Sequence, residues 1–173
     1  MCIASRYTIG PLVGINISVI LACVLLIIPA SWATDKSPIK PGSRDKCPVC
    51  GMFVAKYPDF VAVLAFKDGT YAFFDGVKDM MKYYYSFQKY RLSKKREDVG
   101  RILVTDYYSS NLVDGFGAFY IVGSDIYGPM GKELIPFEKE TEAREFLKDH
   151  KGKTVLRFEE INKDVISGLD GCL

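Results

Sequence analysis

The pattern of polar and apolar positions divides the chain in two. Arg6 is the only charged side chain before Asp35, so residues 7–34 form an uncharged run. Its centre, residues 15–28, is apolar and is closed by the helix breaker Pro29. Ser31 and Ala33 then place small side chains at the −3 and −1 positions of a cleavage site before Thr34, the arrangement of a secretory signal. The run also exceeds the roughly 20 residues that span a bilayer, so an uncleaved membrane anchor over residues 7–33 is a second reading. Lipid attachment at Cys23 is a third, although apolar sequence continues past it to Ile28. All three readings put the chain from about Thr34 onward outside the cytoplasm, in the periplasm of a bacterial cell.

Beyond this segment the pattern changes to short alternating elements. Residues 37–43 are rich in Pro, Gly and Ser and read as part of a linker over 34–46. Residues 60–66 and 70–74 are strand-length apolar runs on either side of Lys67, Asp68 and Gly69, which predicts a β-hairpin. Asp75 is placed to cap a helix from Val77 to about Tyr90, whose stripe is Val77, Met80, Met81, Tyr84 and Tyr85. Strands are expected at 101–107 and 118–122, a loop at 123–131, a helix at 139–148 and a strand at 154–159. Residues 162–173 form a tail, either a short helix or frayed.

The two halves rhyme. Phe73, Phe74 and Asp75 enter one helix as Pro136, Phe137 and Glu138 enter the other, each after paired strands. The expected fold is α+β: two ββα-like units sharing one core, over residues 47–161. The eleven Tyr and eleven Phe are assigned to core and helix-to-sheet packing.

Composition narrows the function. Residues 1–33 carry one Arg and no acid, so the remainder holds 22 basic against 21 acidic residues, a balance that gives no nucleic-acid surface. The basic run Lys89, Arg91, Lys94, Lys95 and Arg96 is interrupted by Glu97 and Asp98 and reads as a solvated loop. His150 is the only histidine, which leaves little room for triad hydrolysis, and it is placed to cap the C-terminus of the second helix. Asp68, Asp75, Asp106 and Asp114 read as turn and cap residues. No enzyme active site emerges from these residues.

Chemistry concentrates at Cys47, Pro48, Val49, Cys50, Gly51 and Met52, since Cys2 and Cys23 lie in the targeting segment and Cys172 near the C-terminus. Four chemistries suit this Cys-x-x-Cys. A closed zinc site needs four protein ligands, and no second Cys-x-x-Cys supplies them. A thiol–disulfide oxidoreductase suits the oxidising compartment but normally has its first cysteine at a helix N-terminus, whereas residues 52–55 read as extended. A structural disulfide would close too short a loop to add much stability. The fourth is a soft-metal site. Thiolate and thioether together select copper(I); Met52 lies two residues past Cys50, and Met130 stands in the Gly-framed loop Gly128, Pro129, Met130, Gly131. Met80 and Met81 fit the helix stripe and are assigned to the core.

The chain from about Cys47 to Ile161 resembles the NosL family, periplasmic copper-binding accessory proteins of nitrous oxide reductase maturation. The resemblance is carried by Cys47 to Met52, the turn from Phe66 to Thr70, Phe73 to Asp75, Val104 to Tyr107, Gly128 to Gly131, and Pro136-Phe137 followed by Ala143 and Phe146. It implies a fold similar to the organomercurial lyase core. It also implies copper(I) held by Cys47 and/or Cys50, Met52 and Met130, then passed to a copper enzyme or an ABC-transporter-linked assembly complex. The chain departs from the family in lacking a clear lipobox, and in having Lys132 where relatives often carry a histidine after Pro-Met-Gly.

Overall fold

The computed structural model describes residues 39–90 and 93–170, so the expected signal or anchor over 1–33, Cys23 and Cys172 lie outside the described residues. The first hairpin forms as expected from its turn: Gly69 takes φ +83°, in the left-handed region that favours glycine, and joins β1 (Ala62–Phe66) to β2 (Tyr71–Phe74). β1 is buried along its whole length, which is why it reads as a continuous apolar run and not as an alternation. Helix α1 (Val77–Tyr85) follows.

α1 is shorter than its periodicity suggests. The Ser86 N–H donates to Tyr83 O at 3.0 Å, closing the helix, and a 3-10 turn (Phe87–Tyr90) swings Phe87 inward. There its ring meets Tyr83 at 5.1 Å and Phe66 at 6.2 Å edge-on, a contact that a continued helix would not make.

β3 (Val99–Thr105) pairs antiparallel with β1, and the short β4 (Leu112–Asp114) adds to its far edge, giving a sheet in the order β2-β1-β3-β4. The second unit repeats the plan. β5 (Phe119–Gly128) and β6 (Gly131–Phe137) form a hairpin, α2 (Glu140–Asp149) follows, and β7 (Thr154–Arg157) pairs on the free side of β5, giving the order β6-β5-β7. The internal rhyme is therefore structural. Phe74 pairs with Ala62 at the end of one hairpin and Phe137 with Phe119 at the end of the other, and both rings are fully buried where a helix begins. The fold is α+β, with the first ββα unit completed by two further strands and the second by one.

The segment 123–131, expected as a loop, is instead the tip of a long hairpin. An irregularity between Val122 and Tyr127, with Gly123 at φ +80°, breaks the alternation that would have announced a strand. Pairing resumes at Tyr127–Lys132 and Gly128–Gly131, leaving Pro129 and Met130 at the turn. The three-residue β4 was also not expected, being too short to show a period.

Around the second sheet, Ile121, Ile135, Phe137, Ala143 and Phe146 form a buried cluster, with Tyr107, Leu147 and Val155 against it. α1 packs on β1 and β2 and also on β6 and on α3 (Lys163–Asp170), so the first helix lies against both units. α3 buries Ile166 and Leu169, and the Tyr85 hydroxyl donates to the Ile161 carbonyl just before it. Among the described residues no helix is long and apolar enough to cross a membrane.

Candidate metal centre

The Cys47–Met52 segment is held as a tight loop by its own backbone. The Cys47 N–H donates to Met52 O at 2.9 Å and the Gly51 N–H to Cys47 O at 2.9 Å; Gly51 sits at φ +81°, a left-handed conformation that favours glycine here. Lys46 and Phe53 pair across the base, and the Val54 N–H donates to Asp45 O at 3.0 Å. Beyond it the chain makes 3-10 turns (Val54–Lys56 and Pro58–Phe60) where extended chain was expected, so neither cysteine starts an α-helix of its own.

Cys47 is buried, Cys50 half-buried, and both are free thiols. The loop presses them against the start of α1. There Asp75, at the end of β2, and Asp79, in the first helical turn, stand four residues apart on one face. Cys50 donates to both oxygens of Asp75 at 3.3 Å, and Cys47 Sγ lies 3.6 Å from Asp79 Oδ2. One donor atom from each of these four residues lies within 4.8 Å of every other.

This corrects the expectation for Asp75. The residue at the helix cap is Gly76, and no Asp75 oxygen caps the helix; its carboxylate faces Cys50. The cap comes from β6, where Glu133 accepts the Lys78 N–H at 2.5 Å and the Leu134 N–H at 2.9 Å. Gly76 is needed for that contact, because a Cβ there would collide with Glu133 Oε2. Asp68, Asp106 and Asp114 do serve turns: they accept the backbone N–H groups of Thr70, Ser109 and Gly117.

Two lysines complete the electrostatics. Lys82 Nζ lies 3.4 Å from Asp79 Oδ1 and 2.7 Å from Asp170 Oδ1 on α3. Burial alone would lower the Lys82 pKa, but the hydrogen bond to Asp170 and the charges of Asp79 and Asp170 outweigh it and raise it. Lys78, buried, donates to Met130 O at 2.7 Å and lies 3.6 Å from Asp170 Oδ1. The β5–β6 turn is thereby tied to the helical turn that carries the carboxylates.

Burial raises both thiols. The Cys50 pKa goes up to about 11, with Asp75 adding to the effect, and Cys47 is driven higher by deeper burial, with the nearby Asp75 carboxylate adding to it. Backbone N–H groups of Val49 and Cys50 aimed at Cys47, and of Met52 at Cys50, act in the opposite direction without prevailing.

Of the residues expected at the site, Cys47 and Cys50 meet each other. Met52 is half-buried in the same loop, and Met130 stands at the hairpin turn with its side chain 45% exposed. Lys132 lies one residue past the turn, paired in register with Tyr127. His150 ends α2 as expected: its N–H donates to Phe146 O at 2.9 Å, its Nδ1 lies 3.0 Å from Asp125 Oδ1, and its ring stacks on Phe146. Asp75 and Asp79 are the members that sequence reasoning missed. Their only visible sign was spacing by four at a predicted helix start, a pattern common on exposed helices.

The NosL family profile matches residues 38–166, most of the chain and the whole of the two-unit fold. The chain belongs to the NosL family. A relative, the copper-binding lipoprotein NosL of Stutzerimonas stutzeri, is 30% identical over 131 residues, spanning 75% of this chain and 68% of its own. The crystal structure of the copper chaperone NosL from Shewanella denitrificans superposes with a TM-score of 0.64 at 22% identity, covering 75% of this chain and 98% of that one. At that identity the likeness speaks for the fold alone.

Proposed function

We propose that this NosL-family protein is an exported copper(I) carrier. Its thiols Cys47 and Cys50 hold the ion with help from the thioethers of Met52 and Met130 and release it to a recipient. The observation that carries this reading is the pair of unbridged thiols gathered by a rigid loop at the start of α1. Thiolate and thioether sulfurs favour a soft monovalent ion. Family membership and the copper-binding relative support copper as the cargo. That the relative is a lipoprotein supports an exported, membrane-associated location.

An exposed Met130 suits a carrier, because incoming ligands must reach the ion before its own leave. Val49, between the cysteines, lines a groove of about 330 Å³ with Lys82, Lys89, Tyr90, Lys163 and Asp170; Lys82 is paired with Asp170, so Lys89 and Lys163 would offer an acidic recipient surface a place beside the metal. The recipient in this reading is a copper enzyme, nitrous oxide reductase, or its ABC-transporter-linked assembly complex. The raised thiol pKa values weigh against a thiol–disulfide oxidoreductase, whose attacking sulfur must be a thiolate near neutral pH. They also favour a carrier over catalysis.

The test is titration of the reduced protein with copper(I) buffered by a competing chelator. Tight 1:1 binding is expected, abolished by C47S/C50S and weakened by M130L. Unchanged affinity in C47S/C50S would place the site elsewhere.

A further inference from the structure

A closed zinc site was set aside for want of ligands in the sequence, yet the fold brings two more donors to the thiols. We infer that the same pocket binds a second class of metal, a divalent borderline ion of the zinc type, through Cys47, Cys50, Asp75 and Asp79. The inference concerns the pocket proposed for copper(I) and shares its thiolates, but it requires a different second pair of ligands.

The geometry is close to that of an occupied site. With zinc–sulfur bonds of about 2.3 Å and zinc–oxygen bonds of about 2.0–2.2 Å, the edges of a tetrahedron are about 3.3–3.8 Å. Cys50 Sγ is already 3.3 Å from the Asp75 oxygens and Cys47 Sγ 3.6 Å from Asp79 Oδ2. The remaining separations are no more than 4.8 Å, so closure on an ion needs contraction of about 1 Å.

The donors are also positioned independently. The cysteines sit in a hydrogen-bonded loop, Asp75 follows a strand end, and Asp79 is fixed by Lys82, itself held by Asp170. All but Cys50 are fully buried. Two thiolates and two carboxylates around a divalent ion leave two negative charges. Lys82 and the N-terminus of α1 lie beside the site to offset them. Carboxylate oxygens are hard donors that zinc accepts and copper(I) gains little from, whereas thioethers behave the other way. The two ions would thus share the cysteines and part company at the remaining ligands.

The experiment uses the full chain, reduced and metal-free, with Zn²⁺ titrated against a chromophoric chelator and Co²⁺ as a spectroscopic stand-in. Expected are 1:1 binding and the intense visible bands of tetrahedral, thiolate-bound cobalt. D75N/D79N should lower zinc affinity by more than about 100-fold while copper(I) affinity stays within about tenfold, and M52L/M130L should do the reverse. Undiminished zinc affinity in D75N/D79N, or octahedral cobalt in the wild-type protein, overturns the inference. Because the cobalt spectrum is read on the unmutated chain, a misfolded variant does not spare it. Failure of wild-type copper(I) binding alone would sink the carrier reading and leave this one standing.

Discussion

Replacing Asp75 by Asn removes a charge 3.3 Å from Cys50 Sγ while keeping the shape of the side chain. Burial is the first cause of the raised Cys50 pKa of about 11, and the Asp75 hydrogen bond and charge add to it, so the substitution should release only part of the shift. A unit charge at that distance is worth about 1.3 kcal/mol at the dielectric of water and about 5 kcal/mol at an effective value of 20. The whole rise, from 9.0 to about 11, has burial as its larger cause, so a fall of about one pH unit is expected, leaving the pKa at about 10. The assay is ultraviolet titration of thiolate absorbance in a C47S background, so that one thiol is observed. Alkylation provides a second readout. A lower pKa also makes a thiolate less nucleophilic, with a Brønsted slope of about 0.45, so the rate at pH 7 should rise about threefold for a fall of one unit. An unchanged or higher Cys50 pKa in D75N would refute the claim that the Asp75 carboxyl group helps raise it.

Because both thiols are protonated at neutral pH, copper(I) should displace two protons, and log affinity should rise by about two per pH unit between pH 6 and 8; pH-dependent chelator competition measures the slope, and C47S should bring it to about one. Glu133 is pushed up to about 7, burial outweighing the N–H groups of Lys78 and Leu134 and the Lys78 charge. Its folded pKa exceeds the ordinary 4.5, so its contribution to stability is complete below that value and is lost as pH rises through 7. E133Q should flatten the thermal unfolding midpoint of the metal-free protein between pH 5 and 8, removing a dependence of roughly 3 kcal/mol. G76A drives a methyl into the Glu133 carboxylate and should cost about 1–3 kcal/mol in chemical denaturation, accompanied by weaker metal binding as the start of α1 shifts.

Local order was legible in the sequence. Lys67-Asp68-Gly69 between two apolar runs meant a hairpin because turn chemistry and alternation are nearest-neighbour effects, and the stripe Val77, Met80, Met81 meant a helix for the same reason. The repeated Phe74 and Phe137 at helix entries exposed the two-unit plan. Where neighbours did not suffice, the reading fell short: Phe87 ended α1 early to reach Phe66, and the bulge before Tyr127 concealed the length of β5 and β6.

By itself the chain determined an α+β pattern of paired ββα units and a Cys-x-x-Cys loop with a methionine after it. Only the tertiary structure decided what faces those cysteines. Asp75 and Asp79 lie 25 and 32 residues from their thiol partners, and neither differs in sequence from a carboxylate in solvent. Which face α1 turns to the loop follows from burying Met80, Met81 and Tyr83 against β1, β2, β6 and α3 together. That choice is made by the packing of distant segments, and no local pattern records it.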